Sequence, residues 1–415
     1  MSANTSWAFA GNAVYAGCQW LVFVMLVKML PLADVGQFAY WIAVTGPVFI
    51  LANVRLRNLL ATGIATPHGF TDYLAARLVT TSSAVAVAIV IAVAGSGRLD
   101  AVVALIAMAK ACDALSDICH GLFQRQLEMR TAAIGLMTNG LLSVTFVAVS
   151  LGVSPSLTAA MGAYAAASLL ALFAWDLRKA RRSLARVPLR GAFLAVRHLL
   201  WRALPLGLSS AVGSLQTQAP RYAIAAHLGS PALAVFAALA YVPTVGNLIV
   251  NAVAQAALPV LSRDLAASRD RYTRRLLRLV ALGGAVGVAS VVAAALLGRQ
   301  LLTLMYHAEY AAYLDVLLLL MCASAVSYLY VFLGTATTAR GRFGTQFALS
   351  CAGLLVISIA LVPFVKLFGL PGAAFALLCG AVVETAGYVV VTLIDLGSGR
   401  HTSTLAPVLA EGLRS

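Results

Sequence analysis

The stretch TAAIGLMTNGLLSVTFVAVSL, residues 131–151, holds no charged residue over 21 positions. As a helix rising 1.5 Å per residue it would cross a hydrocarbon core about 30 Å thick. The same pattern recurs on either side of it. Twelve such stretches can be counted, roughly 6–30, 36–60, 72–95, 101–124, 131–151, 155–177, 203–226, 232–258, 276–298, 311–335, 345–366 and 371–395. Short gaps separate them, and positive charge gathers in every second gap. This makes the chain a polytopic, all-α membrane protein whose work is done in or across a bilayer.

Composition agrees. Hydrophobic residues make up 61%, charged residues 10%, and mean hydropathy is +0.93, well outside the range of soluble globular domains. A net charge of +15 would suggest nucleic acid in a soluble protein. Here 23 of the 29 Lys and Arg fall on one side of the predicted spans and only Lys28, Arg98, Arg299 and Lys366 on the other. That bias is a positive-inside signal. It predicts a bacterial inner-membrane protein with both termini in the cytoplasm, and no nucleic-acid partner. The N-terminus lacks the basic n-region of a signal peptide, so no cleaved leader is expected. The six Cys all lie in apolar stretches without metal spacing and are expected to be small buried hydrophobes. No metal or cofactor is expected.

The longest polar interruption, residues 178–202, divides the chain. The expected organisation is an N-terminal lobe over 1–177, a basic linker over 178–202, a C-terminal lobe over 203–395 and a tail over 396–415. In the linker Phe193, Leu194, Leu200 and Trp201 interleave with Arg190, Arg197 and Arg202, a pattern suited to a basic amphipathic helix lying on the inner leaflet, with a plain charged linker as the alternative. The two lobes echo each other at an offset of 198: Leu30, Phe38-Ala39 and Asn53 recur as Leu228, Phe236-Ala237 and Asn251. Six spans per lobe would make these parallel repeats around a central cavity.

Phosphate-loop, HExxH and Cys/His motifs are missing, and no gap is long enough for a soluble catalytic domain. This argues against an enzyme. Attention moves to polar groups inside the spans, where an ionisable side chain costs at least ~2.5–3.5 kcal/mol and is a functional candidate by default. In the fourth stretch Lys110, Asp113, Asp117, His120 and Gln124 lie within about 80° of one helical face. Either they face a cavity, with Asp113 or Asp117 carrying a proton or Na⁺, or Lys110 pairs with one Asp and locks helices together. In the eighth stretch Thr244, Asn247, Asn251 and Gln255 form an uncharged stripe suited to sugar hydroxyls or interhelical hydrogen bonds. Arg221, Arg55 and Arg57 are candidates for diphosphate, because guanidinium stays charged and offers forked donors. For Arg55 and Arg57 snorkelling to the inner interface is the plainer alternative. Glu384 is a further ion-coupling candidate, and Asp315 a lesser one. Pro205, Pro220, Pro243 and Pro259 are expected to kink the seventh and eighth spans.

Three stretches carry a family resemblance. They are Gly11-Asn12 through Leu30-Pro31 to DVGQFAYW (34–41), LPLGLSSAVGSLQTQAPRYAIAAHLGSPALAVFAALAYVP (204–243) and AVAQAALPVLSRDLA (252–266). Together with the span pattern, they make the chain similar to the Wzx-type oligosaccharide flippases, within the multidrug/oligosaccharidyl-lipid/polysaccharide exporter superfamily. Arg221 matches the Arg of that family's Asp-Arg pair, with Pro220 standing where the family has Asp. Arg55 or Arg57 matches a basic residue at the end of the second span. The fourth span has no family motif to carry over. The resemblance implies a transporter that moves an undecaprenyl-diphosphate-linked oligosaccharide from the inner to the outer leaflet, for capsule, exopolysaccharide or O-antigen. Its partners would be that substrate, the membrane, and a polymerase or export component. The rival readings are a drug/cation antiporter of the same superfamily, a membrane-embedded polymerase, and a scaffold for an export complex.

Overall fold

The structure is a computed structural model that describes residues 2–62, 69–97, 100–183 and 189–397. Among these residues all regular structure is helical. In chain order the helices are α1 (Ser2–Met29), α2 (Leu32–Asn53), α3 (Leu56–Thr62), α4 (Phe70–Ser96), α5 (Ala101–Arg125), α6 (Met129–Val153) and α7 (Leu157–Ala171). A π-helical stretch (Leu172–Leu177) carries α7 into α8 (Arg178–Ala180), a single turn. Then come α9 (Leu189–His227), α10 (Gly229–Tyr241), α11 (Thr244–Ala267), α12 (Arg269–Met305), α13 (Leu314–Ala339), α14 (Phe343–Phe368) and α15 (Leu370–Gly397). The tail beyond Gly397, residues 184–188, and the side chains of Arg190, Phe193, Leu194 and Arg202 lie outside the described residues.

Among the described residues ten helices are long and apolar enough to cross a membrane. This is a multi-pass membrane protein. The remaining predicted spans are helical too, but differ for visible reasons. α5 carries Lys110, Asp113 and Asp117 within its length. α9 is studded with Ser, Gln and Thr between Ser209 and Gln218. The predicted span 232–258 is two helices, α10 and α11, parted at Val242–Pro243.

The physical cause of that break is local. Pro243 has no N–H to give to Leu239, and Val242 turns its own N–H to the Leu239 carbonyl at 3.1 Å. The Ala238 carbonyl is left over, and the buried Tyr306 hydroxyl donates to it at 3.0 Å. Tyr328 donates likewise to the Pro243 carbonyl at 3.4 Å. Backbone groups within a membrane must find partners inside the protein, and two tyrosines from α12–α13 supply them. The other three prolines behave differently: Pro205 and Pro220 lie within an unbroken α9, and Pro259 inside α11. The gap predicted between the ninth and tenth spans is largely helical. α12 runs on to Met305 and a 3-10 turn covers Ala308–Tyr313.

The chain splits into two compact units, Met1–Gln218 and Ala219–Ser415. The division falls within α9, so residues 203–218 group with the first unit. The reason is close packing against α2: a Cβ on Gly207 would lie 2.8 Å from Val54 Cγ1, and one on Gly46 would meet Gln218 at 3.4 Å. In the first unit α2, α4 and α5 meet through Phe49, Ala84, Ala88 and Ala107. In the second, α11 packs on α13 through Val250, Ala254, Tyr328 and Phe332. Small residues at helix contacts and large apolar residues outside, such as Val90, Val149, Leu296 and Ile359, are the pattern of helices packed in lipid.

Candidate functional site

α5 carries the polar stripe, and its members are taken by different neighbours. Asp113 accepts from Asn139 Nδ2 of α6 at 2.9 Å, with the Tyr15 side chain of α1 and Lys110 of α5 as its neighbours. Asp117 is ion-paired with Arg57 Nη1 at 3.0 Å and with Arg77 Nη2 at 3.1 Å. His120 Nε2 lies 3.1 Å from Asp176 Oδ1 in the π-helical stretch, and both side chains are buried. Gln124 is exposed. The stripe therefore ties α1, α3, α4, α6 and the π-helical stretch after α7 to one helix of the same unit.

Two glycines let the neighbours come close enough. A Cβ on Gly121 would meet the Arg57 backbone at 3.3 Å, and one on Gly135 would meet Asp176 Oδ1 at 2.6 Å. With α3 against Gly121, one helical turn along α5 from Asp117, the Arg57 side chain reaches that carboxylate.

The end of α2 is the most distorted backbone in the first unit. Val54 and Arg55 have φ of 37° and 51°, the left-handed region that is unfavourable for L-residues and most so for a β-branched one. The break is held by Arg77, whose side chain is fully buried. Arg77 Nη1 donates to the Asn53 carbonyl at 3.2 Å and to Asn53 Oδ1. The carbonyl of a helix end is thereby satisfied. Arg55 is exposed, and its Nε donates to Ser210 Oγ at 2.7 Å.

In the second unit Arg221 sits half-buried six residues before the end of α9, next to Tyr222 and Tyr241. On α11, Val250 and Ala254 turn to the core while Asn251 and Gln255 turn out, and Asn247 is half-buried. Asn251 Nδ2 donates to the Asn247 carbonyl of its own helix at 2.8 Å. Glu384 is buried in α15 beside Tyr330 and Tyr388, whose rings stack at 6.2 Å. Asp315 lies in the first turn of α13, where a carboxylate suits the helix dipole. Asp395 near the end of α15 pairs with Arg340 and Arg342 at 2.5 Å each, and the Arg340 guanidinium lies 4.9 Å over the Tyr272 ring. Among the described residues no three of His, Cys, Asp or Glu converge as metal ligands would.

The profile of a family described as polysaccharide biosynthesis protein matches residues 1–265. The chain belongs to that family. It is also similar to the capsular polysaccharide biosynthesis protein CapF of Staphylococcus aureus, with 25% identity over 394 residues, 94% of this chain and 98% of the relative. Among solved structures, an inward-facing multidrug resistance MATE transporter of the MOP superfamily superposes with a TM-score of 0.75 at 12% identity, covering 94% of this chain and all of that one. The lipid II flippase MurJ in an inward closed conformation gives 0.71 at 12% identity, covering 92% and 86%. A MOP superfamily transporter from Pyrococcus furiosus gives 0.66 at 13%, covering 95% and 94%. These likenesses fix the fold of this polysaccharide biosynthesis protein as that of the MOP transporters.

Sequence reasoning named both Asp117 and Arg57 without joining them, and missed Arg77, Asn139 and Asp176. Arg77 was visible only as one more basic residue near a span end. Asp176 and Asn139 gave no signal, because a lone polar residue in an apolar stretch has no partner until the helices are packed. Asp176 did stand one position after Trp175 in an otherwise apolar run, and an ionisable residue there merited the same scrutiny as Glu384.

Proposed function

We propose that this protein moves an undecaprenyl-diphosphate-linked oligosaccharide from the inner to the outer leaflet by alternating access, for capsule, exopolysaccharide or O-antigen synthesis. The observation that carries the reading is the conjunction of a polysaccharide biosynthesis family match over residues 1–265 with a fold like that of a lipid II flippase. The sugar head cannot enter hydrocarbon unaided, whereas the lipid tail need not leave it. Arg55, Arg57 and Arg221, with Lys110, bind the diphosphate. Asn247, Asn251 and Gln255 offer hydrogen bonds to the sugars. Asp113 and Glu384 carry the coupling ion if one is used, and Asp117 serves Arg57. In this reading the arginine-rich loops and both termini lie on the cytoplasmic side of the inner membrane, and a polymerase or export component takes over the delivered substrate.

The test uses a deletion strain with chain initiation intact. Lipid-linked intermediates are extracted and their leaflet is read with a membrane-impermeant glycosidase. Intermediates protected in the deletion strain and accessible after complementation support a flippase. Accessible but unpolymerised repeats would overturn the reading and place the chain after flipping. A second reading, a drug/cation antiporter, is favoured by the likeness to the MATE transporter and by the buried Glu384. Loss of drug tolerance in the deletion strain with normal polysaccharide would select it.

A further inference from the structure

The two arginines on Asp117 are not held alike. Arg77 is fully buried: its Nη groups donate to Asp117 Oδ2 and to both oxygens of Asn53, and its Nε meets no acceptor among the described residues. Arg57 is 27% exposed. Of the five N–H donors a guanidinium carries, only one, on Nη1, meets a protein acceptor among the described residues. Asp117 is itself 32% exposed. Arg55, two residues from Arg57, engages Ser210 through its Nε and no other acceptor among the described residues. Three arginines and one aspartate leave a net charge of +2 around the strained end of α2. An exposed, half-satisfied arginine on a carboxylate is a cation kept in waiting.

We propose that Asp117 is a stand-in for phosphate, an internal anion that a diphosphate displaces from Arg57. This rests on the transport reading above and assigns Asp117 as a positioning residue within it. When the diphosphate arrives, Arg57 exchanges a carboxylate for a phosphate oxygen, one charge-assisted pair for another, with Arg55 as the second arm. Asp117 stays on Arg77, so no buried charge is stranded at any point. Arg77 also holds Asn53, so the broken end of α2 keeps its shape during the exchange. On delivery Asp117 takes Arg57 back. A transporter must let go of what it binds, and a resident competitor lowers affinity at the point where release is needed.

The test is titration of the purified full-length protein with inorganic pyrophosphate by calorimetry. Asp117→Asn is expected to tighten binding about tenfold, a change of about 1.4 kcal/mol, and Arg57→Gln to abolish it. Asp395→Asn removes a carboxylate from two arginines in the other unit and is expected to leave binding unchanged, which separates local competition from net charge. If Asp117→Asn does not fold because Arg77 is stranded, Asp117→Asn with Arg77→Gln keeps the net charge of the wild type and is expected to tighten binding as well. Weaker or unchanged binding in the Asp117 variants, or equal tightening in Asp395→Asn, would overturn the competitor role. Wild-type protein that ignores pyrophosphate would overturn the diphosphate site and this inference together. The leaflet assay tests flipping independently of all these outcomes.

Discussion

Each unit gathers two arginines on one aspartate near its arginine-rich end, and the two clusters are built differently. Asp117 lies in mid-helix on α5, 32% exposed, with one arm, Arg57, half-free beside a strained helix break. Asp395 is 5% exposed, and both its arms flank the tight turn at Gly341 between α13 and α14. Arg340 is further pinned on the Tyr272 ring. The helix breaks differ in the same sense. The end of α2 is held by a charged guanidinium on Asn53, whereas the α10–α11 break is held by neutral tyrosine hydroxyls. Exposure of the arginines does not separate the clusters, since Arg342 is 40% exposed and Arg57 27%. The carboxylate and the backbone do: Asp395 is dry and its arms are set by a turn, whereas Asp117 is wet and Arg57 follows a strained helix break.

Five substitutions test this contrast. Arg57→Ala is expected to cut lipid-linked oligosaccharide transport about 100-fold or more, since losing a charged donor to a buried partner costs about 2–5 kcal/mol of binding. The protein should still accumulate in membranes. Arg221→Ala is expected to do the same from the second unit, and normal polysaccharide export by a well-expressed variant would remove Arg221 from the site.

Asp395→Ala should act on the fold instead. Breaking a buried pair costs about 3–5 kcal/mol, seen as a lowered unfolding midpoint in detergent, with transport per folded molecule preserved. A transport defect without destabilisation would erase the distinction between the two clusters. Tyr306→Phe strands the Ala238 carbonyl and should cost about 1–3 kcal/mol, read by the same melt and by faster amide exchange in α10.

The smallest effect is expected at the α5–α6 turn. Leu127, 73% exposed, has φ of 61°. Leu127→Gly should stabilise by about 1 kcal/mol, the left-handed penalty of an L-residue, with transport unchanged. Strain at Leu127 would then be incidental, unlike that at Val54 and Arg55.

The membrane class was legible from residues 131–151 and their eleven counterparts, because apolar length alone satisfies the bilayer. The break at Val242–Pro243 was half-legible. Four prolines promised kinks, and only the packing of Tyr306 and Tyr328 explains how a full interruption at Pro243 is accommodated. The face shared by Asp113, Asp117 and His120 followed from helical period. Its partners did not, because Arg57, Arg77, Asn139 and Asp176 come from four separate elements.

By itself, then, the sequence determined the all-helical membrane fold, the side that carries the arginines, and which side chains are costly to bury. These depend on local periodicity and on the transfer of side chains from water, which each segment feels alone. Only the tertiary structure decided which carboxylate meets which cation, that Arg77 is dry while Arg57 is wet, and where helices stop short. Those outcomes depend on distances between segments far apart in the chain, and a few ångströms of packing at Gly121, Gly135 and Gly207 fix them.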